Sequence, residues 1–142
     1  MILLCDENIG TGVPQALALV GYDTRYFVAL GWSGKKDVEW LPWVGKNDWL
    51  LFSCNKKQLI VPIECNAILE NNVGVVYLTH GEEFPAKVLG LLLKKWDDLE
   101  LLWETTERPF ARFLHPDGKL TPKFRNLQLP PHSREEKQGR LI

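Results

Sequence analysis

Short, almost wholly apolar runs recur along this chain, each followed by a polar loop and then a helical pattern, and that alternation constrains the fold more than any other feature. Ile2-Leu3-Leu4-Cys5 ends in Asp6-Glu7-Asn8, Trp49-Leu50-Leu51-Phe52 in Ser53-Cys54-Asn55, and Val73 to Leu78 in Thr79-His80. Thr24 to Val28 is β-branched and aromatic, and Phe110 to Leu114 reads as a short last strand. Runs without polar alternation belong to strands buried on both faces, as in parallel sheets. Between them, Val13, Leu17 and Val20 stand at helical spacing before Gly21. Residues 36–44 put Val38 and Leu41 on one side, and residues 58–71 form a weaker helix from near Pro62. From Pro85 to Trp103, Val88, Leu92, Trp96, Leu99 and Trp103 make an apolar stripe. The alternation predicts an α/β three-layer sandwich, with a mainly parallel central sheet of four to five strands and helices on both faces.

A chain of 142 residues is one domain's length. Its net charge of −1 hides a division. Residues 1–118 carry eleven basic and sixteen acidic residues, net −5, whereas residues 119–142 carry six and two, net +4. The expectation is an α/β body over 1–118 and a basic, Pro-containing tail over 119–142 with little structure of its own. No run of eighteen apolar residues is present, which excludes a membrane-spanning helix. The start lacks a basic segment and reaches Asp6 and Glu7 at once, unlike a signal peptide. Cys5, Cys54 and Cys65 are odd in number, far apart and without a C-x-x-C pair, so free thiols in a reducing cytoplasm are expected.

Open parallel sheets place their chemistry outside the carboxyl ends of the strands. Asp6 follows a buried run directly, and an ionised carboxylate there needs donors or a cation. It reads either as an oxygen ligand for Mg²⁺ or Mn²⁺ or as a cap of the next turn. Asn8 beside it suits a turn or a supporting contact. Asp37 and Glu39 follow a glycine-punctuated loop, Gly31 to Gly34. Asp37 either folds over the strand ends as a second carboxylate or serves the helix dipole; Glu39 fits the dipole better. At the third strand's end, Ser53 offers a hydroxyl and Asn55 an amide oxygen. Lys56 and Lys57 then supply a basic pair suited to a polyanion, or simply a solvated loop. His80 is a lone strand-end histidine, more often a hydrogen-bonded loop residue than a base. Most of the six tryptophans are expected in the core. Trp32, in the glycine loop, is the one expected to meet a ligand or another chain.

These elements, in this order, resemble the PIN-like nuclease superfamily, and more narrowly small prokaryotic PIN-like proteins of the VapC toxin type. The likeness covers about residues 1–115. It rests on Leu3-Leu4-Cys5-Asp6-Glu7-Asn8, on Gly31-Trp32 leading to Lys36-Asp37-Val38-Glu39-Trp40-Leu41-Pro42, and on Val44-Gly45 leading to Trp49-Leu50-Leu51-Phe52-Ser53 and the basic loop. The strand Val75-Val76-Tyr77-Leu78-Thr79 and a long helix follow. The resemblance implies a metal-dependent endoribonuclease using Mg²⁺ or Mn²⁺, held by acids at the sheet's carboxyl edge. It also implies RNA as substrate, an antitoxin protein as partner, and a homodimer. Asp6 matches the first family acid and Asp37 the second. Asn55 stands where the family usually has Asp, and Lys57 where a further acid often follows. Catalytic and metal roles therefore fall to Asp6, Asp37 and Asn55, with Asn8, Ser53, Lys56, Lys57 and His80 around them. Glu39, Glu82 or Glu83 could substitute for the missing acid.

Two further readings stand beside this one. A PIN-like domain that has lost catalysis would bind RNA or a protein without cutting. A phosphoacceptor receiver domain would need an Asp at the end of the third strand, where this chain has Ser53 to Asn55.

Overall fold

A computed structural model describes residues 1–80 and 84–122. Its strands are β1 Leu3–Cys5, β2 Thr24–Tyr26, β3 Leu50–Ser53, β4 Gly74–Leu78, β5 Phe110–Leu114 and β6 Leu120–Thr121. Its helices are α1 Gly12–Leu19, α2 Phe27–Leu30, α3 Asp37–Lys46, α4 Pro62–Glu70 and α5 Pro85–Thr105, with 3₁₀ turns at Glu7–Ile9 and Lys56–Leu59. The sheet order is β2-β1-β3-β4-β5-β6. β1 to β5 pair in parallel, and β6 runs antiparallel to β5.

The strands are apolar throughout because both faces are covered. The pleat sends alternate residues to opposite sides. Leu3, Cys5, Leu50, Phe52, Val76 and Leu78 pack with Val13 and Leu17 of α1 and with Val88, Leu92, Trp96 and Leu99 of α5. Leu4, Leu51, Val75, Tyr77 and Phe113 pack with Trp40, Leu41 and Val44 of α3 and with Ala67 and Ile68 of α4. The three-layer α/β sandwich expected from the sequence is therefore present, with one strand more than the four to five expected. The extra strand lies where a structureless tail was expected to have begun. Leu120 and Thr121 pair with Leu114 and Phe113, so the body runs past residue 118. The rest of that tail and Glu82 and Glu83 lie outside the described residues.

Two local expectations are corrected. The second strand stops at Tyr26, and Phe27–Leu30 turns into a helix closed by Gly31 at φ 72°. Phe27 reaches the core there by turning inward rather than by pairing, so packing overrides its strand preference. Trp43 was expected near the core but is about half exposed, with Lys46 Nζ 5.0 Å from its ring centre. Trp40 is buried as expected.

The α3–α4 layer depends on a missing side chain. A Cβ at Gly45 would be driven into the backbone carbonyl of Asn71, at the end of α4. Gly45→Ala is expected to destabilise the fold by roughly 1–3 kcal/mol, since backbone cannot step aside as a side chain can. Gly90, in the middle of α5, would meet nothing within 4 Å. Gly90→Ala is expected to stabilise by up to about 1 kcal/mol through the helix preference for alanine. Urea denaturation of both variants reads the opposite signs.

Candidate acidic site at the carboxyl edge of the sheet

The chain passes from β1 to β2 on one side and crosses back to β3 on the other, so the topological switch point lies between β1 and β3. Doubly wound sheets bind ligands in the crevice outside that point. Asp6 and Ser53 stand there. The ladder continues one residue past β1, where Asp6 N–H donates to the Phe52 carbonyl at 2.9 Å. Pleat parity sends Asp6 to the same side as Leu4, and Ser53 and Tyr77, which are register partners, to the same side as Leu51 and Val75. That is the side covered by α3 and α4. The site therefore draws on β1, β3 and β4 and on the amino ends of those two helices.

Each side chain has a defined partner. Asp6 Oδ2 accepts from the Ser53 hydroxyl at 2.8 Å, and Oδ1 from Glu7 N–H at 2.7 Å. Asp6 thus caps the turn Glu7–Ile9, one of the two roles read from the sequence. Ser53 Oγ accepts in turn from Asn55 N–H at 3.0 Å and from Asn8 Nδ2 at 3.4 Å. Asn8 Oδ1 accepts from Cys54 N–H at 3.2 Å, tying the β1 loop to the β3 loop. Glu7 Oε2 accepts from Gly34 N–H at 3.2 Å. This clasp draws the glycine loop, and with it the start of α3, toward the end of β1. Asp37 Oδ2 accepts from Gln58 Nε2 at 3.0 Å, and Gln58 Oε1 accepts from the Tyr77 hydroxyl at 2.9 Å. Glu64, in the first turn of α4, is near enough to Asp37 for the two carboxyl groups to interact.

The electrostatics follow from burial and like charge. Asp6 is 5% exposed. Its carboxyl is pushed up to about 6, mainly by burial and further by the charges of Asp37 and Glu7, against the lowering effect of its two hydrogen bonds. Glu64 is raised by burial and by Asp37. Tyr77 is raised well above the ordinary tyrosine range by burial, with the surrounding thiol and acids adding to the effect. It is therefore a proton donor at any working pH. Burial pushes the Cys5 thiol up to about 12 and the Cys65 thiol up to about 11. Cys54 is also raised by burial and by Asp6. None of the three has the lowered pKa of a nucleophilic thiol.

Of the residues singled out in the sequence, Asp6, Asn8, Ser53 and the Asn55 backbone form one connected network, with Asp37 beside Asp6. Lys56 turns away, its Nζ donating to the Thr79 carbonyl at 3.2 Å, and Lys57 is exposed in the same turn. His80 is exposed and makes its contact with Thr79 Oγ1, 3.1 Å from Nδ1. Glu39 caps α3, its Oε2 accepting from Lys36 N–H at 3.3 Å. Trp32, expected to meet a ligand or another chain, lies against Phe27, Trp40 and Trp49. Three residues were missed: Glu64, Gln58 and Tyr77. Glu64 had a legible signal, an acid two residues after Pro62 at a helix start.

In charge and donor type the set fits a hard divalent cation. The charge of Asp37 raises the proton affinity of Asp6 and of Glu64, and the donors on Asp6 and Asp37 are the Ser53 hydroxyl, the Glu7 N–H and the Gln58 amide. Among the described residues no lysine or arginine forms an ion pair with these acids. Carboxylate, amide and hydroxyl oxygens are the donors that Mg²⁺ and Mn²⁺ take. The grip is not pre-assembled: among the described residues no three His, Cys, Asp or Glu side chains converge into a group that could hold a metal ion. Among the same residues no helix is long and apolar enough to cross a membrane. Comparisons of the chain with protein-family models, curated proteins and solved structures find no match.

Proposed function

We propose that the pocket binds Mg²⁺ or Mn²⁺ through Asp6 and Asp37, with Glu64 as the third acid, and that the protein is a PIN-like endoribonuclease. The observation that carries this reading is that buried Asp6, at the switch point of the sheet, feels the charge of Asp37, while the donors on the two carboxylates among the described residues are the neutral Ser53, Glu7 N–H and Gln58 groups. A bound divalent ion supplies an activated water and neutralises charge on the phosphate under attack. The residues hold and orient: Ser53 and Glu7 N–H fix the Asp6 carboxylate, and Gln58 fixes Asp37. Glu64 takes up the acidic part left open by Asn55, a role that neither Glu39 nor Lys57 fills.

A second reading has its own support. With no three ligands converged among the described residues and with Asn55 and Lys57 in place of acids, the domain would bind RNA without cutting it. Incubation of purified protein with single-stranded RNA separates the two. Cleavage is expected in Mn²⁺ or Mg²⁺, stopped by EDTA, and reduced about 100-fold or more in Asp37→Asn and Glu64→Gln. RNA retained intact by wild-type protein in saturating Mn²⁺ would establish the binding module instead.

A further inference from the structure

We propose that Gln58 is a positioning residue for Asp37 and is itself oriented by Tyr77, so that a buried relay from strand β4 aims a carboxylate of the site. This rests on the reading of Asp37 as a ligand of the pocket. Gln58 is fully buried, although it follows two exposed lysines in a loop turn. A buried amide must find partners for both ends or lose about 1–3 kcal/mol per unsatisfied group. Its two ends are satisfied by two groups of opposite character. The Tyr77 hydroxyl stays protonated and donates its one proton to Oε1 at 2.9 Å. That leaves Nε2 to face Asp37 Oδ2 at 3.0 Å.

An amide can be turned over, exchanging its oxygen and nitrogen. Here the reversed orientation would set Oε1 against the Asp37 carboxylate, a repulsive contact, and leave the amide with the Tyr77 hydroxyl as its one partner. Only the observed orientation satisfies both ends. Tyr77 is itself fixed by its strand, in register with Ser53 and Phe113 and packed in the core. The sheet thus sets the phenol, the phenol sets the amide, and the amide sets Asp37. Glu64 of α4 stands near the same carboxylate, and the brace on Asp37 comes from the sheet side, through Gln58. Asp37 lies at the first position of α3, after an exposed loop, where an unbraced carboxylate would sample several rotamers.

Two readouts test the relay. The first needs no metal. In ¹H–¹⁵N spectra the Gln58 side-chain amide is expected as a slowly exchanging pair of resonances, displaced in both Asp37→Asn and Tyr77→Phe. The second is Mn²⁺ affinity by calorimetry, well below the unfolding temperature. Gln58→Leu and Tyr77→Phe are expected to weaken binding about tenfold. Val76→Ala, a core truncation on the opposite face of the sheet, should lower stability and leave affinity unchanged. Unchanged Mn²⁺ affinity in both relay variants would overturn the proposal, as would a Gln58 amide indifferent to Asp37→Asn. If wild-type protein binds no Mn²⁺, the metal reading fails, and the amide resonances still decide whether the relay exists.

Discussion

Asp6→Asn is expected to make the protein more stable at neutral pH, by roughly 1–3 kcal/mol. The carboxyl titrates at about 6 in the fold against 3.8 for the free group. A tenfold change in proton affinity is worth about 1.4 kcal/mol. A folded pKa above the unfolded one means that the unfolded chain gives up its proton first. The fold then bears a growing penalty as pH rises from about 4 to 6, in full above that. Asparagine has the same shape and no charge, so the penalty disappears. Some of the gain is lost because the asparagine NH₂ meets Ser53 Oγ, which already accepts from Asn8 and Asn55. The gain should vanish below about pH 4, where the wild-type carboxyl is neutral as well. Urea denaturation of both proteins between pH 4 and 7.5 reads this directly. A variant less stable than wild type at pH 7.5 would make Asp6 a structural cap and nothing more. A carboxylate retained at a net penalty marks a place where function overrides stability.

The second large effect concerns Asn55→Asp, which should act with opposite signs on the metal-free and metal-bound protein. The Asn55 N–H donates to Ser53 Oγ, and Ser53 donates to Asp6, so the backbone at 55 borders the network and a new charge there acts on it. A unit charge pair at 4 Å is worth about 4 kcal/mol at an effective dielectric of 20. Less than half of that against a divalent ion is a tenfold gain. Mn²⁺ affinity is therefore expected to rise about tenfold or more. Without metal, a further acid beside Asp6 should lower stability by about 1 kcal/mol. Thermal unfolding with and without Mn²⁺ shows the crossover, because a ligand that binds the native state alone stabilises by mass action. A variant indifferent to Mn²⁺ would place residue 55 outside the site.

The sheet was legible because its strands carry no polar alternation: Leu3-Leu4-Cys5 and Leu50-Leu51-Phe52 can only be covered on both faces. Asp6 was legible because it breaks such a run at its end. Glu64 was harder, since its place depends on α4 folding back across the end of β3, and in sequence it stands eleven residues beyond Ser53. Gln58 was hidden by its neighbours. After Lys56 and Lys57 it looked like part of a solvated loop, and only the 3₁₀ turn Lys56–Leu59 rotates it inward. Tyr77 looked like one more core aromatic, and it is one; its hydroxyl acquires a role only from what Gln58 places against it. The short β6 gave no signal, because two residues paired to an edge are a product of tertiary context rather than of pattern.

Calorimetric titration of Mn²⁺ into wild-type protein and Asp6→Asn at pH 7.5 tests the acidic site most directly. The variant is expected to be at least as stable as wild type, so lost binding cannot be ascribed to unfolding. Saturable binding by wild-type protein and its loss in Asp6→Asn is the expected result. Equal binding by the two proteins, or none by wild type, would contradict a divalent-cation site at the end of β1.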